Sequence, residues 1–149
     1  AFQTSLLDIS PYDKVLEVGT GSGYQAAVLS VLDTDVYTIE RQRDLFRKTK
    51  SFLPTLGYSC GFFYGDGYNG LPKFAPFDKI IITCGAPFIP KDLIEQLKVG
   101  GRMVAPIGDG DIQVMHLIEK ISENETKITT HGNFSFVPML NDKSNGSKW

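Results

Sequence analysis

Three carboxylates in the first half of the 149-residue chain could bind a ligand, and one of them precedes a glycine-rich turn. Glu17 comes two residues before a G-x-G-x-G sequence at residues 19–23, Glu40 follows 21 residues after Gly19, and Asp66 stands between two glycines. A glycine turn lets backbone N–H groups approach a ligand that any Cβ would obstruct. A carboxylate accepts hydrogen bonds from ribose hydroxyls or from an adenine amino group. This spacing favours a site for an adenosine-containing cofactor.

The turn and its acids also favour one class of cofactor over another. Dinucleotide-binding enzymes usually carry G-x-G-x-x-G, whereas here Gly23 comes one residue early. A pyrophosphate would be repelled by the Glu17 carboxylate, while a cationic sulfonium with an amino-acid tail would be compatible with it. An NAD-dependent oxidoreductase, the main alternative from another class, gives no role for Asp66. The residues therefore favour S-adenosyl-L-methionine.

The elements that must position these residues alternate between strand and helix. We predict strands over residues 14–18, 35–40, 61–64, 77–84 and 102–107, helices over 22–32, 44–56 and 90–98, and two longer strands over 111–120 and 127–140 joined by a polar turn at 122–125. The apolar run at residues 80–82 is typical of a central parallel strand covered on both faces. The pattern predicts a doubly wound, mostly parallel α/β sheet that ends in an antiparallel hairpin. Ligands bind such a sheet at the carboxyl ends of its strands, where all three acids are placed.

The composition and net charge of the chain argue against a nucleic acid or a membrane as its partner. Hydrophobic residues make up 42% of the chain and charged residues 21%, which is ordinary for a globular domain. The net charge of −2 provides no positive field for nucleic acid or an anionic membrane. No apolar run approaches the roughly 20 residues that span a bilayer. We therefore expect no nucleic-acid or membrane partner. Residues 1–8 lack the charged start and the long apolar core of a signal peptide, so we expect a cytoplasmic location.

The cysteines and histidines are too few and too far apart for a metal site, and no metal is expected. Cys60 and Cys84 lie in or near predicted strands and are interpreted as buried free thiols. His116 and His131 are interpreted as strand residues whose rings find hydrogen-bond partners.

Longer segments around these motifs resemble the protein-L-isoaspartate O-methyltransferases. VLEVGTGSGYQAAVL at residues 15–29 is similar to the first motif of that family, and its GYQAA continuation is more particular than the glycines. The similarity continues in order through VYTIER, GDG, FDKIIITCGAP, IP, QLK, GGR, PIG and FVPML. It covers nearly the whole chain.

The resemblance implies a seven-stranded, Rossmann-like methyltransferase domain over residues 1–140, followed by a polar tail at 141–149. It implies S-adenosyl-L-methionine as the cofactor, with contacts at Glu17, Gly19, Thr20, Gly21, Gly23, Glu40, Arg41, Asp66 and Gly67. It also implies the reaction, methylation of the free α-carboxylate of L-isoaspartyl residues in damaged proteins for repair. Isoaspartyl-containing proteins and peptides would be the partners, and we expect a monomer.

One part of the family pattern has no match. Family members carry an I-S-x-P-like segment before the glycine strand, whose serine lies beside the transferring methyl group. Residues 1–11 contain no such motif, and neither Ser5 nor Ser10 has its surroundings. The chain is therefore expected to be N-terminally truncated, either as a fragment of a longer protein or as a truncated relative, and its catalytic residues stay unassigned. If the chain is complete, its cofactor binding should be weakened and its activity poor or absent. Two alternatives stay open, another S-adenosylmethionine-dependent methyltransferase and a cofactor-binding fragment without activity.

Overall fold

The fold is built on one seven-stranded sheet with helices on both faces, seen in a computed structural model that describes residues 1–142. The strands are β1 Lys14–Val18, β2 Asp35–Glu40, β3 Gly61–Tyr64, β4 Phe77–Ile82, β5 Leu97–Ile107, β6 Gln113–Ser122 and β7 Glu125–Phe134. The α-helices are α1 Phe2–Leu7, α2 Tyr24–Val31, α3 Arg43–Phe52 and α4 Lys91–Glu95. Short 3₁₀ helices occupy Leu53–Leu56, Gly67–Asn69 and Pro72–Phe74. Most of the predicted tail, residues 143–149, lies outside the described residues.

The strand order β3-β2-β1-β4-β5-β6-β7 confirms the predicted architecture. The pairs from β3 to β5 are parallel, and β5, β6 and β7 pair antiparallel. The chain proceeds outward from β1 to β3 and then returns to place β4 on the other side of β1. The strand order therefore reverses between β1 and β4, and ligands of doubly wound sheets bind at that point.

Alternating side chains of the central strands supply two apolar layers, one on each face of the sheet. Leu16 and Ile80 belong to one layer, while Val15 and Ile81 belong to the other, and all four are fully buried. Glu17 pairs with Ile81 in the β1–β4 register and lies on the Val15 face. The sheet therefore buries this acid beside α1 and α2, whose Leu7 and Leu29 pack on that face.

Two predicted boundaries around β5 are wrong. The helix predicted over 90–98 is confined to Lys91–Glu95, and β5 begins at Leu97 instead of residue 102. Leu97 is buried and pairs with Phe77 of β4, and the register shifts before the pairing resumes at Lys79. A pairing between distant segments overrides the local helical pattern here, because burial of Leu97 against the sheet outweighs helix propensity.

The hairpin and the second predicted helix also differ from the prediction in their limits. The connection between β6 and β7 is shorter than predicted. Ser122 at the end of β6 pairs with Glu125 at the start of β7, so only two residues connect the strands. β7 ends at Phe134 and does not continue to residue 140. The predicted helix at 44–56 is α-helical only to Phe52 and then becomes a 3₁₀ helix, which contains a proline that cannot donate to an α-helical ladder.

The histidine interpretation is confirmed, and the cysteine interpretation is partly wrong. His116 Nδ1 lies 2.8 Å from the Val114 carbonyl, and His131 Nε2 lies 2.9 Å from the Thr129 hydroxyl. Both cysteines are free but only partly buried, because each lies at a strand margin and not within a strand. Within residues 1–142, no helix is long and apolar enough to cross a bilayer.

Candidate active site

A pocket of about 640 Å³ opens where the carboxyl ends of β1, β2 and β4 meet. Its volume lies within the range of small-molecule sites, and its place is the point where the strand order reverses. Seven of the nine predicted cofactor contacts line it, namely Glu17, Gly19, Thr20, Gly21, Glu40, Arg41 and Gly67. The fold thus brings residues from three separate segments of sequence to one cavity.

The glycine turn forms the floor of this pocket and has the backbone conformation that its sequence predicts. Gly19 has φ +98°, and a Cβ there would lie 2.8 Å from the Thr83 hydroxyl. Gly21 has φ +54° with open space around it, so its backbone faces a cavity. A side chain at either position would strain the turn, and at Gly19 it would also collide with the end of β4.

Glu17 is the most unusual group in the pocket, since it is fully buried and lacks a partner on one oxygen. Its Oε1 accepts a 2.6 Å hydrogen bond from the Thr38 hydroxyl, which lies 2.6 Å from the Thr20 hydroxyl. Its Oε2 is the single buried side-chain nitrogen or oxygen in residues 1–142 without a hydrogen-bond partner. Burial raises the pKa of Glu17 to about 8, the Thr38 hydrogen bond opposes this, and the nearby Glu40 adds to it. A cationic donor beside Oε2 would favour the ionised form.

Glu40, at the end of β2, is held in a fixed orientation at the pocket wall. Its Oε1 accepts from the Gly21 N–H at 2.9 Å, and its Oε2 accepts from the Gln42 N–H at 3.0 Å. Each carboxylate oxygen can accept a further hydrogen bond. Glu40 is therefore oriented by backbone donors and can still receive hydroxyl donors from a ligand.

Asp66 and Gly23 are the two predicted contacts that do not line the pocket. Asp66 Oδ1 accepts from the Tyr68 N–H at 2.9 Å and caps the short 3₁₀ helix, while Oδ2 accepts from the Asp142 N–H at 3.0 Å. Gly23 precedes α2, and a Cβ there would lie 2.7 Å from side-chain atoms of Thr49 and Leu53. Asp66 therefore links the pocket edge to a later segment, and Gly23 permits helix packing. Their contacts with a cofactor stay predictions.

Arg41 and Gly67 connect the pocket to the same edge. Arg41 Nε donates to the Asp142 carbonyl at 2.9 Å. A Cβ on Gly67 would lie 2.4 Å from Val18 Cγ1, so the chain can pass this close to β1 only with glycine. Asp142 is thus bound through its carbonyl by Arg41 and through its N–H by Asp66.

The segment at residues 137–140 is part of the site, although its sequence pattern did not predict this. This segment was predicted to continue the last strand, but it leaves the hairpin and lines the pocket. Gly85 donates to the Val137 carbonyl and accepts from the Met139 N–H, both at 2.7 Å. The Tyr68 hydroxyl donates to the Met139 carbonyl at 3.1 Å. The FVPML motif was a signal for the segment, but its place over the pocket depends on these long-range bonds.

Cys84 also lines the pocket, and its thiol is held in the protonated form. Burial raises the pKa of its thiol to about 12, and the neighbouring Glu40 and Glu17 carboxylates act in the same direction. The thiolate is the nucleophilic form of cysteine. Cys84 is therefore a neutral wall of the pocket and not a nucleophile.

The chain that forms this pocket is similar to known proteins of one family. The model of the protein-L-isoaspartate(D-aspartate) O-methyltransferase (PCMT) family matches residues 1–144. A protein-L-isoaspartate O-methyltransferase of Christiangramia forsetii is 57% identical over 145 residues, covering 97% of this chain and 68% of the relative. The corresponding protein of Flavobacterium psychrophilum is 54% identical over 147 residues, with the same two shares. The chain thus spans about two thirds of the length of these curated relatives.

Solved structures agree with the sequence relatives. A protein-L-isoaspartate O-methyltransferase structure superposes with a TM-score of 0.86 at 29% identity, covering 97% of this chain and 47% of that chain. A Plasmodium falciparum structure described by the same enzyme name, in complex with S-adenosyl-L-homocysteine, superposes with a TM-score of 0.77 over 91% of this chain and 68% of that chain. It is 20% identical and supports the fold. On this evidence the chain belongs to the protein-L-isoaspartate(D-aspartate) O-methyltransferase family of S-adenosylmethionine-dependent protein carboxyl methyltransferases.

Proposed function

We propose that this protein binds S-adenosyl-L-methionine in the pocket between β1 and β4 and methylates the free α-carboxylate of L-isoaspartyl residues in damaged proteins. The observation that carries the proposal is the buried Glu17, whose Oε2 lacks a partner inside a pocket with a glycine-turn floor. A cationic ligand would satisfy that oxygen, whereas the pyrophosphate of a dinucleotide would be repelled by an ionised Glu17. The family relationship supports the same cofactor class.

The residues present fit the parts of this cofactor. Glu40 is oriented to accept from the ribose hydroxyls, and Arg41 and Gly67 line the edge where the adenine would lie, with Asp66 directly before Gly67 in the chain. The turn at residues 19–21 and the Glu17 carboxylate would hold the methionine end. When bound, the cofactor supplies an activated methyl group on a positively charged sulfur.

The chain itself has to perform little acid–base chemistry. A free α-carboxyl group ionises near pH 3.5, so the acceptor oxygen of an isoaspartyl residue is already charged at neutral pH. The task of the protein is to align the carboxylate oxygen, the methyl group and the sulfur, which is catalysis by proximity and orientation. The segment at 137–140 supplies an apolar wall of the pocket and would reduce the access of water to it.

Transfer of tritiated methyl groups to matched peptides tests this function. The intact protein is incubated with labelled S-adenosyl-L-methionine and either an L-isoaspartyl peptide or the same peptide with normal aspartate. We expect methyl ester formation on the isoaspartyl peptide alone. Equal rates on both peptides would reject the repair function and favour a different methyltransferase, and binding of S-adenosyl-L-homocysteine without transfer would favour a cofactor-binding module.

The biological setting is part of the same proposal. Isoaspartyl-containing proteins and peptides would be the partners, and the net charge of −2 supports a protein substrate over a nucleic acid. A monomeric state and a cytoplasmic location stay predictions. Size-exclusion chromatography with light scattering measures the first, and cell fractionation measures the second.

A further inference from the structure

Helix α1 places a side chain in the pocket that the proposed function does not use. Gln3 lines the same pocket as Glu17. The helix is fixed against the sheet by the fully buried Leu7 and by Arg102, whose Nη1 donates to the Leu6 carbonyl at 3.1 Å. Gln25 of α2 adds a third attachment to this helix. Gln3 is therefore presented to the pocket by an anchored element.

The orientation of the Gln3 amide follows from its partner. Its Nε2 donates to the Ile82 carbonyl at 2.8 Å and lies 3.7 Å from Met115 Sδ. A carbonyl oxygen only accepts, so the nitrogen of the amide must face Ile82. The other end of the amide, Oε1, accepts no hydrogen bond from the described part of the chain. It is a free acceptor on a side chain whose donor end is fixed.

Gln3 and Glu17 lie close to each other in the sheet framework. The β1–β4 register pairs Val18 with Ile82, so the carbonyl that anchors Gln3 is one residue pair away from Glu17. Glu17 and α1 are on the same face of the sheet, and Oε2 of Glu17, which has no partner, is a free acceptor when the carboxyl group is ionised beside a cation. Two free acceptors in one corner suit a ligand group that only donates hydrogen bonds. An ammonium group carries three donors and no acceptor.

We propose that Gln3 is a cofactor-binding residue whose Oε1 accepts a hydrogen bond from the α-ammonium of the methionine tail, next to Glu17 Oε2. This inference rests on the proposed function, because it takes S-adenosyl-L-methionine as the ligand. A neutral amide suits this position, since a further carboxylate would add repulsion to Glu17 and Glu40. The ammonium would then be recognised by one charged and one neutral acceptor.

Two ligands that differ only at the methionine tail test this assignment. S-adenosyl-L-homocysteine carries the amino-acid tail, whereas methylthioadenosine keeps the adenosine and the thioether but has no ammonium. Affinities for both are measured by calorimetry on the intact protein, as the wild type and as Gln3→Met and Gln3→Glu variants. Loss of one hydrogen bond to a charged group changes affinity about tenfold.

We expect Gln3→Met to weaken S-adenosyl-L-homocysteine about tenfold while the affinity for methylthioadenosine stays close to the wild-type value. Gln3→Glu keeps an acceptor at this position but cannot donate to Ile82. Attraction of its carboxylate to the ammonium offsets the repulsion from Glu17 and Glu40 once the tailed ligand is bound, so this variant should keep most of the affinity for that ligand. A Thr4→Val variant removes the hydroxyl to which Gln25 donates at 2.8 Å and serves as a control on α1 attachment. Its ratio of the two affinities should equal that of the wild type.

The outcomes separate this inference from the function on which it rests. A parallel loss for both ligands in both Gln3 variants would overturn the inference and reduce Gln3 to an anchor of α1. Unchanged binding of both ligands by Gln3→Met would overturn it as well. A wild-type protein that binds neither ligand would overturn the cofactor proposal together with the inference, whereas tight wild-type binding would leave the proposed function standing in every case. Binding of methylthioadenosine by the variants also shows that they are folded.

Discussion

The N–H of Gly21 donates to Oε1 of Glu40 at 2.9 Å, so the glycine turn after β1 is joined directly to the acid that ends β2. The second oxygen of Glu40 accepts from the Gln42 N–H, which fixes the plane of the carboxylate. Glu40 therefore has two roles. It accepts a hydrogen bond from the backbone of the glycine turn, and it presents oriented carboxylate oxygens to the pocket. Gly21 and Glu40 are far apart in sequence, and the parallel pairing of β1 with β2 brings them together.

Substitution of Glu40 should weaken cofactor binding. In Glu40→Gln the side-chain amide replaces one acceptor oxygen by a donor, which faces a backbone N–H or a ribose hydroxyl. We expect the affinity for S-adenosyl-L-homocysteine to fall about tenfold or more, because hydrogen bonds to a charged group are lost. Calorimetry measures this, with Glu123→Gln, on an exposed side chain, as the matched control. An unchanged affinity would remove Glu40 from the site.

Glu17 should make stability depend on pH in an unusual direction. Its pKa rises from 4.5 to about 8 on folding because the carboxyl group is desolvated. The folded state therefore binds more protons than the unfolded state between these two values. The contribution of this group to stability is complete below the unfolded pKa and is lost as pH rises through the folded pKa.

Comparison of the wild type with Glu17→Gln isolates this effect. The neutral amide does not titrate. The free energy of unfolding of the variant minus that of the wild type should therefore increase between pH 5 and pH 8, by at most about 1.4 kcal/mol per pH unit. Urea unfolding at several pH values gives the difference. Two parallel curves would mean that Glu17 keeps an ordinary pKa in the folded protein.

Asp66 should affect both stability and binding, and two variants separate the effects. Asp66→Ala removes the cap on Tyr68 N–H and the bond to Asp142 N–H, and we expect a loss of about 1 kcal/mol in stability together with weaker cofactor binding. Asp66→Asn can keep the cap through its carbonyl oxygen but cannot accept at both places.

Thermal melting and calorimetry measure the two effects of Asp66. The exposed Asp109, changed to alanine, is the control. If both Asp66 variants bind S-adenosyl-L-homocysteine like the wild type, the predicted adenine contact is wrong and capping is the role that remains.

Gly67 should not tolerate a side chain. A Cβ there would lie 2.4 Å from Cγ1 of the buried Val18, and relief would require movement of β1 or of the pocket edge. We expect Gly67→Ala to lower the free energy of unfolding by about 1–3 kcal/mol, the usual cost of overpacking.

Gly110 provides the matched control for Gly67, because a Cβ there meets no atom within 4 Å. Gly110→Ala should change stability by less than about 0.5 kcal/mol. Gly67→Ala should cost less stability in a Val18→Ala background than in the wild type if the contact with Cγ1 causes the loss. Equal stabilities of the two single variants would show that the chain moves aside without cost.

The local pattern of the sequence was sufficient for the first three strands of the sheet. The predicted limits of β1, β2 and β3 agree with the structure, since each is a short apolar run ended by turn residues. The positive φ at Gly19 and Gly21 likewise follows from the motif. The limits of α4, β5 and β7 were not predictable in this way, because the burial of Leu97 and the departure of residues 135–140 from the hairpin depend on partners far away in sequence.

By itself, the sequence determined the alternating α/β order, the glycine turn and the acids at the strand ends, because these depend on side-chain periodicity and local backbone geometry. Only the tertiary structure decided that Glu17 is buried with a free oxygen, that Asp66 faces Asp142, and that Gln3 reaches the pocket. These features depend on strand register and on which helix covers which face. Both are set by packing between segments as far apart as Gln3 and Ile82, which no local pattern encodes.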